Sequence, residues 1–185
     1  TFASQVIGFT NNDGEGLYGV ELQYNDVLKG VAGRVVKATN ALGSDMPYDY
    51  EKYVPEQDGD GVVLSLDEGV QHYLEKHLEE ALNDYQAKKG VCGIVMDIKT
   101  GEILAMSTKP DFDLNNPRTI PEEYTSLLAE LDNLSGEEYS SKYSEILLRL
   151  WRNKAINDTY EPGSTFKVFT VSSALEAGVV EDSST

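Results

Sequence analysis

The sequence predicts an α+β chain in two parts. A small, irregular, β-rich N-terminal module should occupy residues 1–57, with helices packed on an antiparallel sheet over residues 58–185. Three observations predict it. Residues 1–57 alternate short β-branched runs with Gly, Asn and Asp turns, and carry no long helical period. Residues 47–61 are rich in Pro, Asp and Gly, the composition of a domain junction. Beyond them the pattern changes to a capped amphipathic helix followed by a hairpin.

Taken in order, residues 5–10 read as β-like, Asn11-Asn12-Asp13-Gly14 as a turn, 19–28 as a short helix and 33–39 as a strand. Ser65-Leu66-Asp67-Glu68 has the form of a capping box, and the helix it opens should run to about Lys89, with Gly90 ending it. Val70, Leu74, Leu78, Ala81, Leu82 and Tyr85 recur at three- and four-residue spacing and give that helix one apolar face. Residues 91–98 and 102–107 form a hairpin around Lys99-Thr100-Gly101. A polar stretch over 109–121 leads to an amphipathic helical region over 122–151, broken near Ser135-Gly136. A last helix follows Glu161-Pro162-Gly163 and ends at Gly178 as its C′ residue.

Composition excludes several function classes. The chain carries 32 acidic and 15 basic residues, a formal net charge of −17, so nucleic acid is not an expected partner. The one cysteine rules out an internal disulfide, and Cys92, in the apolar run 91–95, reads as a small core residue. No apolar run reaches the ~20 residues that a membrane span needs. Gly14-Glu15-Gly16-Leu17-Tyr18-Gly19 spells a dinucleotide fingerprint, but a polar turn stands where the preceding strand should be, so it reads as a glycine-rich turn. Asp58-Gly59-Asp60-Gly61 lacks an oxygen ligand at Val62 and also reads as a turn. His72 and His77 are five apart, on different helix faces, and read as surface residues rather than metal ligands. Tyr48, Tyr50 and Tyr53 read as packing residues.

The chemistry is concentrated at Ser164-Thr165-Phe166-Lys167. Positions i and i+3 of a helix lie on neighbouring ridges, about 4.5 Å apart along the axis, so the Lys167 amine can reach the Ser164 hydroxyl. A serine alcohol needs a base to become a nucleophile. A lysine in a dry pocket can serve, because desolvation disfavours its ammonium form. Placed at the first turn of a helix, Ser164 would also have free N–H groups and the positive end of the macrodipole beside any charge developing on oxygen. Ser-x-x-Lys also occurs by chance, and a serine there is a common helix cap. The uncharged run over 168–175 calls for burial in a complete domain, and for partial exposure where its neighbours are missing.

Tyr160-Glu161-Pro162-Gly163-Ser164-Thr165-Phe166-Lys167, preceded by Trp151-Arg152-Asn153-Lys154-Ala155-Ile156, closely resembles the active-site entry of the class B penicillin-binding proteins, serine D,D-transpeptidases that cross-link peptidoglycan. The resemblance extends to Ala3-Ser4-Gln5-Val6-Ile7-Gly8 and to Gly19-Val20-Glu21, with Tyr24, Leu28 and Gly30, in the family's non-catalytic pedestal. In the transpeptidase domain it includes Leu64-Ser65-Leu66-Asp67, Gln71, residues 96–106, Asp111-Phe112-Asp113 and Asn115-Asn116-Pro117. The serine-lysine block and the Thr100-Gly101-Glu102 hairpin are the most specific of these. The family's later motifs, Ser-x-Asn and a downstream Lys-Thr/Ser-Gly, do not occur here; Lys99-Thr100-Gly101 precedes the serine and is a decoy. The chain therefore reads as a piece of a larger protein, with residues 58–185 the incomplete start of a penicillin-binding, β-lactamase-like transpeptidase domain, inactive alone.

The resemblance implies Ser164 as nucleophile and Lys167 as its base, acting on the D-alanyl terminus of peptidoglycan stem peptides. β-Lactams should be alternative acylating agents, and neither a metal nor an organic cofactor is implied. It also implies a single membrane anchor upstream of residue 1, a location on the outer face of the cytoplasmic membrane, and partners among division, elongation or sporulation proteins. Two other readings fit the motif: a β-lactamase or β-lactam sensor that uses Ser-x-x-Lys, and a purely structural module of a cell-wall synthesis complex.

Overall fold

The computed structural model describes residues 2–36 and 52–181. The expected ends of two readings, residues 37–39 of the first strand and 47–51 of the junction with Tyr48 and Tyr50, lie outside them. Helices and antiparallel strands are mixed, as the α+β pattern requires. The N-terminal region holds α1 (Ser4–Ile7), α2 (Gly19–Gln23), α3 (Asn25–Leu28) and the strands β1 (Arg34–Val36) and β2 (Lys52–Val54), paired Arg34 to Val54. The later part comprises α4 (Glu68–Asp84), β3 (Val91–Met96), β4 (Ile103–Lys109), α5 (Thr125–Ala129), α6 (Gly136–Trp151), α7 (Lys154–Asn157) and α8 (Lys167–Glu176).

Several local expectations are met and several corrected. The 19–28 helix forms as two short pieces that meet at Tyr24. Residues 5–10 were expected to be β-like, yet Ser4–Ile7 is helical, because the segment is recruited by tertiary contacts rather than by a strand partner. The long helix begins later and ends earlier than its capping box predicts. Asp67 is the N-cap, its carboxylate accepting from the Val70 N–H at 2.9 Å. Ser65 instead donates its hydroxyl to the Ile103 carbonyl at 2.8 Å, tying the lead-in to β4. Gly90 sits at φ +82 past a non-helical stretch over 85–89.

The hairpin pairs Val91 with Lys109 through Met96 with Ile103, with a bulge at Val95/Met96. Lys99-Thr100-Gly101 is its turn: Lys99 N–H donates to the Asp97 carboxylate at 2.7 Å and Gly101 adopts φ +79. Helix α4 packs across β4 and β3, so alternate β3 residues face it. The intervening residues Cys92, Ile94 and Met96 face away and are exposed, which corrects the reading of Cys92 as a core residue. A continuous apolar run does not distinguish a strand covered on both faces from one covered on one.

The core is built from Phe9, Phe112, Ile120, Leu131, Ile146, Leu147 and Leu150. Helix α6 supplies three of these at three- and four-residue spacing, after Ser135 begins the helix where the break was expected. Phe9 reaches the core from the N-terminal region, its ring 5.7 Å from Phe112 edge-on and 5.1 Å from Trp151. Residues 3–18 are thus packed into the later part of the chain. The glycine-rich turn owes its composition to close backbone approach: a Cβ at Gly16 would lie 2.0 Å from the Glu21 carbonyl oxygen, and one at Gly19 2.5 Å from that of Val6. Gly19 also sits at φ +61.

Candidate active site

Pro162 and Gly163 (φ +57) deliver the chain into a 3₁₀ turn, Gly163–Phe166, that runs directly into α8. Thr165 closes the turn by donating its backbone N–H and its hydroxyl to the Pro162 carbonyl, at 3.3 and 2.5 Å. Ser164 therefore stands one turn before the α-helix proper, and Lys167 is the first α-helical residue. Side chains at i and i+3 of a 3₁₀ turn eclipse one another, so serine and lysine share a face. Both side chains are exposed and no hydrogen bond joins them among the described residues. Helix α8 is exposed along residues 168–173, with Val168 and Phe169 about two-thirds accessible. Gly178, at φ +65, follows Ala177 as the C′ residue.

The segment leading to Ser164 is held more firmly than the serine itself. Buried Asn153 caps α7, its Oδ1 accepting from the Ala155 N–H at 3.1 Å, while its Nδ2 points at the Met106 sulfur at 3.2 Å. Arg152 clasps the Asp158 carboxylate and the Asn157 carbonyl, and Lys154 lies 3.5 Å from Asp158. The Arg152 guanidinium holds the Asp158 carboxyl below its ordinary value. Behind this segment, Gln5 Nε2 donates to the carbonyls of Thr108 and Leu150 at 3.3 and 3.2 Å.

A second polar cluster lies between α4 and β4. Gln71, fully buried, accepts the Met106 N–H at 2.8 Å and donates to the Met106 carbonyl at 3.0 Å, as a neighbouring strand would. It also donates to Glu75 at 2.7 Å, which accepts the Ala3 N–H at the same distance. Lys109 bridges Asp111 at 2.7 Å and Glu79 at 3.4 Å, and the Tyr124 hydroxyl donates to Asp111 at 2.6 Å. Burial pulls the Lys109 amine down, but the Asp111 charge and hydrogen bond, with Glu79 and Glu75, more than offset it and hold it above the ordinary lysine value. Burial, then the Asp111 charge, pushes the Tyr124 phenol well up. Sequence reading missed this cluster, although Gln71 and Glu75 share the stripe of Leu74 and Leu78 at three- and four-residue spacing.

His77 is exposed beside Glu80 at 2.9 Å, and Tyr53 is exposed rather than packed, donating its hydroxyl to Glu56 at 2.7 Å. Among the described residues no cluster of His, Cys, Asp and Glu could hold a metal, and no helix is long and apolar enough to cross a membrane.

An antiparallel hairpin backed by a helix is followed by a serine-lysine turn at the head of an apolar helix. The penicillin binding protein transpeptidase domain matches residues 91–185, and the chain belongs to that family. It is 38% identical to stage V sporulation protein D of Bacillus subtilis over 176 residues, 95% of this chain and 23% of that protein. With the peptidoglycan D,D-transpeptidase FtsI of Escherichia coli it shares 29% identity over 181 residues, 98% of this chain and 26% of that protein. The chain thus spans about a quarter of the length of the curated relatives it matches. The crystal structure of penicillin binding protein 2X from Streptococcus thermophilus shares the fold, with a TM-score of 0.62 at 24% identity, covering 100% of this chain and 25% of that one.

Proposed function

We propose that this chain is the pedestal and the beginning of the catalytic domain of a peptidoglycan D,D-transpeptidase that works through a serine acyl-enzyme. The observation that carries the reading is the Ser164–Lys167 pair, i and i+3 across a 3₁₀ turn at the head of an uncharged helix. Ser164 Oγ attacks the carbonyl of the penultimate D-alanine of a stem peptide. Lys167 takes the hydroxyl proton, and the terminal D-alanine leaves with a proton on its amine. An amine of a neighbouring strand then attacks the ester, forming the cross-link and freeing Ser164. The Ser164 N–H supplies one donor for the oxyanion. A β-lactam enters by the same attack, its ring amide opening onto Ser164.

The change of pattern at 47–61 supports a division into a pedestal, residues 1–57, and a transpeptidase part, residues 58–185, with residues 3–18 strapping one to the other. An extracytoplasmic location behind a membrane anchor, and partners in division, elongation or sporulation machinery, belong to the same reading. Its test is labelling by a fluorescent penicillin of the full-length protein that carries this chain. Stoichiometric labelling that Ser164→Ala abolishes is expected; labelling that survives the substitution overturns the assignment. A long-lived adduct separates a transpeptidase from a β-lactamase, which would release it rapidly.

A further inference from the structure

We infer that the groove between residues 7–12 and the loop 114–119 is a binding site for an N-acetylated sugar of a glycan strand; the choice of sugar rests on the peptidoglycan reading above. The groove has a volume of about 630 Å³. Both of its walls are fixed by bonds within the chain. On one side Phe9 is anchored in the core, and the Asn11 side-chain oxygen accepts the Asp13 and Glu15 N–H groups, each at 2.9 Å, which holds the turn beyond it. On the other, two aromatic residues of α6 hold successive carbonyls: Trp151 Nε1 donates to Pro117 at 2.7 Å and the Tyr143 hydroxyl to Arg118 at 3.1 Å. The Asp113 carboxylate accepts the side-chain N–H groups of Asn115 and Asn116 at 3.2 and 3.1 Å. A site that is already rigid loses little affinity to ordering itself.

What the walls leave free defines the ligand. Among the described residues, the Arg118 guanidinium, the Glu21 carboxylate and the Asn12 amide have no partner, and neither do the side-chain oxygens of Asn115 and Asn116. One acid and one base line the groove, Glu21 and Arg118, so it is neutral in a chain of net charge −17. A neutral ligand with its own donors and acceptors fits, and half-buried Leu114 and Pro117 offer apolar surface to the face of a sugar ring. An acetamido sugar has those features: hydroxyls, an amide N–H for the asparagine oxygens and an amide oxygen for Arg118. The groove also stays clear of the direction in which the sheet extends. The outer edge of β4 is taken by this chain's own groups, the Asp67 N–H on the Leu104 carbonyl, Gln71 on Met106 and Gln5 on the Thr108 carbonyl. Further strands of the domain therefore join at β3, whereas α1, which leads into the groove, packs on β4.

The probe is a short β-linked oligomer of N-acetylglucosamine, which has no D-alanine and so does not report on Ser164, titrated into the full-length protein and followed by ligand-observed NMR. Binding should weaken about tenfold in Arg118→Ala and about fivefold in Asn12→Ala. Both substitutions are at exposed positions, on opposite walls, and should leave the melting temperature unchanged. The corresponding glucose oligomer, which lacks the acetamido group, should bind about tenfold more weakly. No binding, or binding that both substitutions leave intact, overturns the inference, and so does equal affinity for the glucose oligomer. Binding by the 185-residue chain that the full-length protein lacks means that later chain covers the groove, and overturns it too. Failure of penicillin labelling sinks the acyl-enzyme reading without bearing on the sugar titration, so the two failures are distinguishable.

Discussion

Replacing Gln71 by Met tests whether a side-chain amide stands in for a missing strand beside β4. Met matches Gln in length and keeps the buried volume, so the change isolates hydrogen bonding. It strips partners from the Met106 N–H and carbonyl, and removes one of the two donors on Glu75. Orphaning a buried backbone group costs about 1–3 kcal/mol; with two such groups, only partly shielded from water, the expected loss is about 3 kcal/mol. At a urea dependence of about 2 kcal/mol per molar, the unfolding midpoint should drop by about 1.5 M. Gln71→Glu should be worse at pH 7, because it swaps a donor for a carboxylate facing Glu75. Burial and that neighbour should raise the folded-state pKa of the new carboxyl, so its penalty should shrink as the pH is lowered and the group regains a proton to donate. Urea unfolding followed by far-ultraviolet circular dichroism at pH 7 and pH 5 reads both effects. A Gln71→Met midpoint within experimental error of the unchanged chain would refute the strand-like role.

Lys167→Ala in the full-length protein should slow acylation by about a hundredfold, and a normal rate would remove lysine from the mechanism. Ile146→Ala, in the fully buried centre of α6, should lose about 2–5 kcal/mol of stability, whereas Val168→Ala on the exposed face of α8 should stay within about 0.5 kcal/mol, both read by urea unfolding of the 185-residue chain. The raised Lys109 and Tyr124 values predict a pH dependence of definite sign. Their contribution is complete below the unfolded-state lysine and tyrosine values, near pH 10, and is lost as the pH rises through the higher folded-state ones. A melting temperature that climbs between pH 10 and pH 12 would contradict the pairing.

The elements legible in the sequence are those whose information is local. The break before α6 follows from Ser135-Gly136, the Lys99-Thr100-Gly101 turn from a glycine that must take positive φ, and the end of α8 from Gly178. The three-residue spacing of Ser164 and Lys167 places them on one face of the turn, although no hydrogen bond joins them among the described residues.

Tertiary structure decided the rest, where a residue's role depends on what the chain brings alongside it from far away. Ser4–Ile7 is helical rather than extended because Ala3 and Gln5 are bound by Glu75, Thr108 and Leu150, residues 72 to 145 positions distant. Asp67, not Ser65, caps α4 because the Ser65 hydroxyl is drawn to Ile103. Cys92 is exposed because α4 covers only one face of the hairpin, a fact that the apolar run around it cannot encode. Gln71, Glu75 and Asn153 are buried because backbone groups of Ala3, Met106 and Ala155 need partners there. Hydrogen-bond demand is set by which backbones meet, and periodicity along one segment carries no record of it.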